Sequence, residues 1–595
     1  MDGDYWTRIL SARASRRRAI AGAATVSAAA ALLAACGGGE SGGSSKGLLD
    51  KSGLLSPRED ETNKGVPGGV WPNDYGNNFE GIDPNTNFNA AAFALITPVY
   101  STLVKYGKAV GQLPGPETIS GDAAESWEIS PDGLQVTYKM RPNHTFNQRP
   151  PTNGRAMTTA DVKFSWDRTT GLSPTAADIL RSKSPTGPIE SLSTSDDKTV
   201  VLKLAEPYGP INEMMPYWYL YIAPIEADGK FDPKTEARGS GPFMLDKWVP
   251  SVSLTYKKNQ SWYVKGRPFL DGFIQYRIAE PATRDAQFEA RAIWLSRGDM
   301  QADNVLRLKK EHSELIMRQQ VKASTPGGYP LIFGKRFAKE VRLRRAVSML
   351  YDRDALLDGA AAYNVDVYRK AGLDVTTFWD GHLSSNAIAW LDPKGKELGE
   401  GAQWFQYNPT EAKKLMSAAG YNGENVDFNY RANFGPQGIP DILSAMIESG
   451  GFKVSRRAIP EAQWRDLKNG YGGGFDDFLW STANSYNDDS YLATKYTSGG
   501  KDRVTPQDIP EISPSVLKAR AERDPKKRVE MLKQLQKDLA GAMPDLPVVS
   551  TVPTLGYSLR WPWFRNDVFS VPGFSVTAST ARPYTDYWYD KSKQT

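Results

Sequence analysis

The stretch Ala124-Glu125-Ser126-Trp127-Glu128-Ile129-Ser130-Pro131-Asp132-Gly133-Leu134-Gln135-Val136-Thr137-Tyr138-Lys139-Met140 decides how the chain is read. Pro131-Asp132-Gly133 is turn chemistry, and the apolar–polar alternation from Leu134 to Met140 has the period of a half-buried strand. Together they predict a hairpin with Trp127 as its buried ring. Val200, Leu202 and Leu204 repeat the same period, as do Val252, Leu254 and Tyr256. Short strands so far apart along the chain predict mixed sheets assembled from distant segments.

Helical signals alternate with these strands, which places the chain in the α/β class. Asn408-Pro409-Thr410-Glu411 supplies an N-cap, a proline at the first helical position and an N3 carboxylate. Ala412, Leu415, Met416 and Ala419 then share one face, and Gly420 stops the helix. Asp524-Pro525 opens a second helix with Val529, Leu532, Leu535 and Leu539 as its buried stripe. A third, from about Lys339, turns Val341, Ala346, Val347 and Leu350 inward and sets Arg342, Arg344 and Arg345 on a solvated face.

At 595 residues the chain has room for three or four units of about 150 residues each. Gly 53 and Pro 40 indicate many turns. One cysteine excludes a disulfide framework or a multi-cysteine metal site within the chain. His144, His312 and His382 are widely separated and fall in no nucleophile or metal motif. No cofactor, metal or catalytic activity is therefore expected. Asp488 and Asp489 are an adjacent acid pair, which in a polar loop serves as caps and turn formers more often than as acid–base chemistry.

The first 35 residues read as an export signal. Arg8, Arg13, Arg16, Arg17 and Arg18 make a basic head, and an Ala-rich apolar run from Ala19 to Ala35 follows, too short for a ~20-residue membrane span. Leu33-Ala34-Ala35-Cys36 resembles a lipobox, in which Cys36 becomes the lipid-modified first residue. Ser15-Arg16-Arg17-Arg18-Ala19-Ile20 resembles a twin-arginine signal. Behind Cys36, residues 36–65 read as a polar, Gly/Ser-rich tether. With residues 1–35 removed, the remaining charge is close to neutral, without the basic stripe of a nucleic-acid binder.

Across nearly its whole length the chain resembles the extracellular solute-binding proteins of peptide-type ABC importers. Phrases in the family's order carry the resemblance: Gly81-Ile82-Asp83-Pro84, Pro98-Val99-Tyr100-Ser101-Thr102-Leu103-Val104, and the hairpin stretch with Thr145-Phe146. They continue with Thr159-Ala160-Asp161-Val162-Lys163-Phe164-Ser165, Gly239-Ser240-Gly241-Pro242-Phe243, and Trp262-Tyr263 through Asp271. Val341-Arg342 through Arg353 and Ala412 through Tyr421 close the series. Gly239 and Gly241 are the residues for a tight crossing of segments.

The resemblance implies a two-lobed periplasmic-binding-protein-like fold (class II, with an extra subdomain), mixed sheets and a hinge between the lobes. It places the first lobe at 66–100, 225–325 and 545–595, the inserted subdomain at 101–224 and the second lobe at 326–544. It implies a monomer that carries a small-molecule or oligomeric solute to an ABC permease, lipid-anchored through Cys36 on the outer face of the cytoplasmic membrane.

Peptide-binding members of the family hold the peptide amine with an aspartate shortly after a Trp-containing strand. Here the matching stretch is Phe478-Leu479-Trp480-Ser481-Thr482-Ala483-Asn484-Ser485-Tyr486, and Ala483 or Asn484 stands nearest the anchor position. A neutral side chain there cannot make the charge-assisted bond of a carboxylate. Trp480, Thr482, Asn484 and Tyr486 remain as ligand candidates. Rings with hydrogen-bonding neighbours suit a sugar, a glycoside or another neutral polar solute, with a peptide as the competing ligand. A carbohydrate-processing enzyme and a surface lipoprotein without a transport role are the alternatives of other classes.

Overall fold

The computed structural model describes residues 52–594 except 76–80, 87–89, 111–114, 174–175, 218–219, 297–299, 321–326, 360–364, 386, 433–437, 470–473, 486, 498–499, 501–502, 505–511, 549–555 and 571–579. The expected export signal, Cys36 and Tyr486 lie outside the described residues.

The hairpin forms as its sequence dictates: Ala124–Ile129 pairs antiparallel with Gln135–Met140. The Asp132 carboxylate holds the turn by accepting from the Ser130 hydroxyl at 2.6 Å and the Leu134 amide at 3.0 Å. The buried ring is Tyr138, with no exposed surface, rather than Trp127, which is half-buried. The two residues are cross-strand partners, but Trp127 lies on the edge strand of the sheet and Tyr138 on an inner one. Thr199–Leu204 and Ile189–Asp196 complete this four-stranded antiparallel sheet. Val136, Tyr138, Val162, Trp166, Val200 and Leu202 build its core.

A second four-stranded sheet pairs Val70–Asp74 in parallel with Gly272–Tyr276, then Ser253–Lys258 and Phe243–Val249 antiparallel. The C-terminal part of the chain fills its core with rings. Trp71 stacks on Phe564 at 4.8 Å, and Trp561 on Trp563 at 5.1 Å. The segment 239–243 crosses the 98–99 backbone so closely that a Cβ at Gly239 would overlap the Val99 carbonyl. The amides of Gly241 and Phe243 donate to Val99 and Pro98 at 2.7 and 3.0 Å.

The third large sheet is mixed and five-stranded, in the order Lys453–Ile459, Asn425–Arg431, Phe478–Trp480, Leu331–Phe333, Asp545–Leu546. The first three strands are parallel and the last two antiparallel. Helices Pro409–Ala418 and Val341–Leu350 pack on it, the first capped by Asn408 as its sequence predicts. Arg344 and Arg345 do not form a solvated face. Their guanidiniums donate to the carbonyls of Gly541, Ala542 and Met543 at 2.6–3.2 Å. They thereby satisfy the otherwise unpaired end of helix Pro525–Ala542, where cations are also favoured by the helix dipole.

Ile316–Gln319 and Tyr557–Arg560 pair antiparallel where the chain passes between the second and third sheets. Val365, Tyr368, Leu373 and Val375, assigned by the sequence to the second lobe, pack into the core of the second sheet. Residues 54–65, assigned to the tether, also lie against the body. The Ser56 amide donates to Met317 O at 2.9 Å, and the Glu61 carboxylate pairs with Arg565 at 2.5 Å. Among the described residues, no helix is long and apolar enough to cross a membrane.

The C-terminal segment is tied to the turn before strand Ala124–Ile129 by a buried ion pair. Both guanidinium nitrogens of Arg582 reach the Asp122 carboxylate, at 2.7 and 2.8 Å. The carboxylate, fully buried, is held well below the usual carboxylate range by Arg582 against the opposing effect of burial. Asp122→Ala would strand the guanidinium and is expected to cost about 3–5 kcal/mol, to be read from urea unfolding of the two proteins. A loss within about 0.5 kcal/mol, the range of an ordinary surface substitution, would show that the pair holds nothing together.

Candidate functional site

Phe478, Leu479 and Trp480 are buried on both faces of the mixed sheet, as expected of an inner strand with an unbroken apolar run. Past Trp480 the chain leaves the sheet as a short ribbon. The Ser481 amide donates to Pro330 O at 3.0 Å, and Ala483–Asn484 then pairs with Gly327–Gly328. Asn487 follows as the N-cap of helix Asp488–Tyr496, accepting from the Ser490 amide at 3.1 Å.

The residues singled out in the sequence fall along this path. Trp480 is 1% exposed, its ring 5.5 Å from that of Tyr329. Its carbonyl accepts from the Trp464 indole at 2.9 Å. The Trp480 Nε1 is buried with no hydrogen-bond partner among the described residues. Thr482 is half-buried, Asn484 contributes the backbone bridge to Gly327, and Tyr486 lies outside the described residues.

The ribbon runs into a polar seam between separately packed parts of the molecule. Tyr208, Ile211 and Met214 belong to the core of the antiparallel sheet. Val516, Ala519 and Leu532 belong to a different core, with Leu479, Ala483 and Tyr491. Where the two meet, the Gly209 amide donates to Arg520 O at 2.8 Å. A Cβ at Gly209 would overlap the Glu522 carbonyl. Arg520 donates to Thr186 O and Arg523 to Ser130 O, both at 3.0 Å. Arg528 pairs with Glu213, and Arg520 Nε lies 4.0 Å from Asp489. Asp488 spends its carboxylate on the amides of Ile388 and Ala389, at 3.2 and 2.6 Å.

Three buried carboxylates therefore face two guanidiniums, so that their full ionisation would leave one negative charge unanswered. Burial pushes Glu213 up to about 7, against the pull of Arg528 and with the help of Asp489 and Asp488. Asp488 is pushed up to about 6 by burial, opposed by the two amides it accepts from. Nothing local in the sequence marks Glu213, Arg520 and Arg528 as neighbours, because roughly 300 residues separate the first from the other two. His144 and His382, each pushed down to about 4 by burial, are neutral at neutral pH. Among the described residues, no group of three His, Cys, Asp or Glu is placed to hold a metal ion.

The raised carboxylates bind protons more tightly in the folded protein than in the unfolded one. Their contribution to stability is complete below their unfolded pKa values of about 4 and is lost as pH rises through about 6 and 7. Glu213→Gln should flatten the fall in thermal midpoint between pH 5.5 and 8. An unchanged slope would mean that Glu213 is hydrated and ionised throughout.

Residues 118–503 match the family described as bacterial extracellular solute-binding proteins, family 5, middle region. Di/tripeptide-binding protein 2 of Pseudomonas aeruginosa is 23% identical over 533 residues, which span 85% of this chain and 92% of that protein. Heme-binding protein A of Haemophilus influenzae is 24% identical over 496 residues, 79% of this chain and 84% of the relative. Among solved structures, the DppA periplasmic binding protein of Helicobacter pylori, in complex with the peptide STSA, aligns with a TM-score of 0.67 at 19% identity. The alignment covers 89% of this chain and 99% of that one. With its mixed sheets, its paired crossing strands and a family match over most of its length, this chain belongs to the bacterial extracellular solute-binding proteins of family 5 and has their two-lobed fold.

Proposed function

We propose that this protein is the solute-capturing component of an ABC importer that closes over a neutral polar solute and passes it to a membrane permease. The observation that carries the reading is the Ser481–Asn484 ribbon, which leaves a buried sheet and is followed by Asn487 and Asp489 at a polar seam between separately packed bodies. A solute gripped at such a place gains its full set of contacts only when both sides meet, and that differential affinity is what drives closure. Trp480, Thr482, Asn484 and Tyr486 are the proposed lining.

The chemistry of the ribbon favours a solute without a free amine. Ala483 and Asn484 carry no charge, Asp488 is committed to two backbone amides, and Asp489 faces guanidiniums. An ammonium entering here would find no uncommitted carboxylate between Phe478 and Asp489, whereas hydroxyl and amide groups would find Thr482, Asn484 and aromatic faces. The printed names of several relatives, dipeptide- and di/tripeptide-binding among them, support free short peptides as the second reading, with the amine held elsewhere. Export by the twin-arginine route, acylation at Cys36 and a monomeric state belong to the same proposal.

A solute at one hundred times its Kd should stabilise the protein by about 2.7 kcal/mol. A thermal-shift screen should therefore register N-acetylated dipeptides or oligosaccharides at least as strongly as free dipeptides. Shifts confined to free amines would establish the second reading instead. Cys36→Ala should move the protein from the membrane fraction to the soluble one, and undiminished membrane retention would contradict acylation at that residue.

A further inference from the structure

A cavity of about 410 Å³ lies among the Lys105–Lys108 turn, the Trp262–Arg267 turn and the Ala581–Asp586 segment, and shares no lining residue with the ribbon or the seam. We propose that this cavity binds a small phosphate-bearing anion. Lys105, Lys108, Lys265 and Arg267 all line it. Asp586 answers Lys108 and Arg267 together, the latter at 2.7 Å, and Asp60 lies near the same two cations. Arg582, also in the wall, is already committed to Asp122.

Two charges are left over. The Lys105 ammonium donates to the Tyr263 hydroxyl at 2.9 Å and faces Asp122, Arg582 and Arg141, but Asp122 is held by Arg582 and forms no ion pair with Lys105. Exposed Lys265 has no partner among the described residues. A phosphate monoester, carrying close to two negative charges at neutral pH, matches that excess, and lysines are established phosphate partners. Trp262, 8% exposed, adds an aromatic wall to the cavity. Burial pushes Lys105 and Lys108 down to about 8, opposed by Asp122 and Asp60 and assisted by the neighbouring cations Arg582, Arg141 and Arg267. The volume exceeds that of a bare phosphate and falls within the range of small-molecule sites, which leaves room for the organic group the phosphate is borne on.

The phosphate could come from a dissolved ester or from a phospholipid headgroup, and one set of measurements separates the two. The full chain carrying Cys36→Ala, so that no acyl anchor contributes, is titrated calorimetrically with glycerol 3-phosphate at low ionic strength. It is also floated with phosphatidylglycerol or phosphatidylcholine vesicles. Binding of glycerol 3-phosphate should weaken by at least about tenfold, or 1.4 kcal/mol, in Lys265→Glu. The same substitution, at an exposed and unpaired residue, should leave the thermal midpoint in the absence of anion unchanged. Lys105→Met should weaken binding as well, and the wild-type affinity should decline as pH rises through about 8. Flotation with phosphatidylglycerol alone, abolished by Lys265→Glu, would identify the headgroup as source; glycerol 3-phosphate binding without flotation would identify a dissolved ester. Absence of both, or binding indifferent to Lys265→Glu, would overturn the proposal.

Discussion

The antiparallel pairing of Ile316–Gln319 with Tyr557–Arg560 is the interaction on which the molecule's working geometry rests. Both strands are anchored on one side, where Met317, Tyr557 and Leu559 lie in the aromatic core. On the other side the chain continues into Leu331–Phe333 and from Asp545–Leu546, neighbours in the mixed sheet. Arg318 and Arg560 share the buried Asp567 carboxylate, at 2.9 and 3.0 Å. Backbone bonds and a shared counter-ion make the two crossing strands one stiff unit, so relative movement of the lobes has to be taken up at its ends.

The two kinds of junction in the protein divide the labour. Within each body the contacts are apolar and extensive, and at ~25 cal/mol per Å² of buried apolar surface they do not come apart reversibly. At the seam from Thr186 and Gly209 to Arg528 the contacts are backbone bonds, guanidinium–carbonyl bonds and one ion pair. Groups of that kind regain water when separated, so the difference between joined and parted states is small. A capture device needs such a balance: a seam of leucines would stay shut, and one without charge complementarity would have no register.

Much of the architecture was legible because it is encoded locally. The Pro131-Asp132-Gly133 turn, the Asn408 and Asp524 caps and the glycines at 239 and 241 each act within a few residues or through the absence of a side chain. Trp127 was misread because edge and inner strands have the same alternation, and only the sheet order tells which one is covered. Arg344 and Arg345 were misread because their partners are carbonyls almost 200 residues away. The candidate site was legible only as a stretch of chain. Its position between a sheet and a seam depends on Glu213, Arg520 and Arg528, whose meeting is a property of tertiary packing alone.

The excursion Val365–Val375 leaves a core that holds Leu357 and Trp379, yet it packs on the crossing strands of the other body. Tyr368 lies 4.8 Å from Tyr557, ring to ring, and the Tyr557 hydroxyl donates to Asp374 O. The excursion thus joins the third-sheet core to the crossing strands by a contact separate from the chain connections. The crossing strands are therefore held to the third-sheet core at a second point, through Tyr368 and Asp374, besides their own chain connections to that sheet.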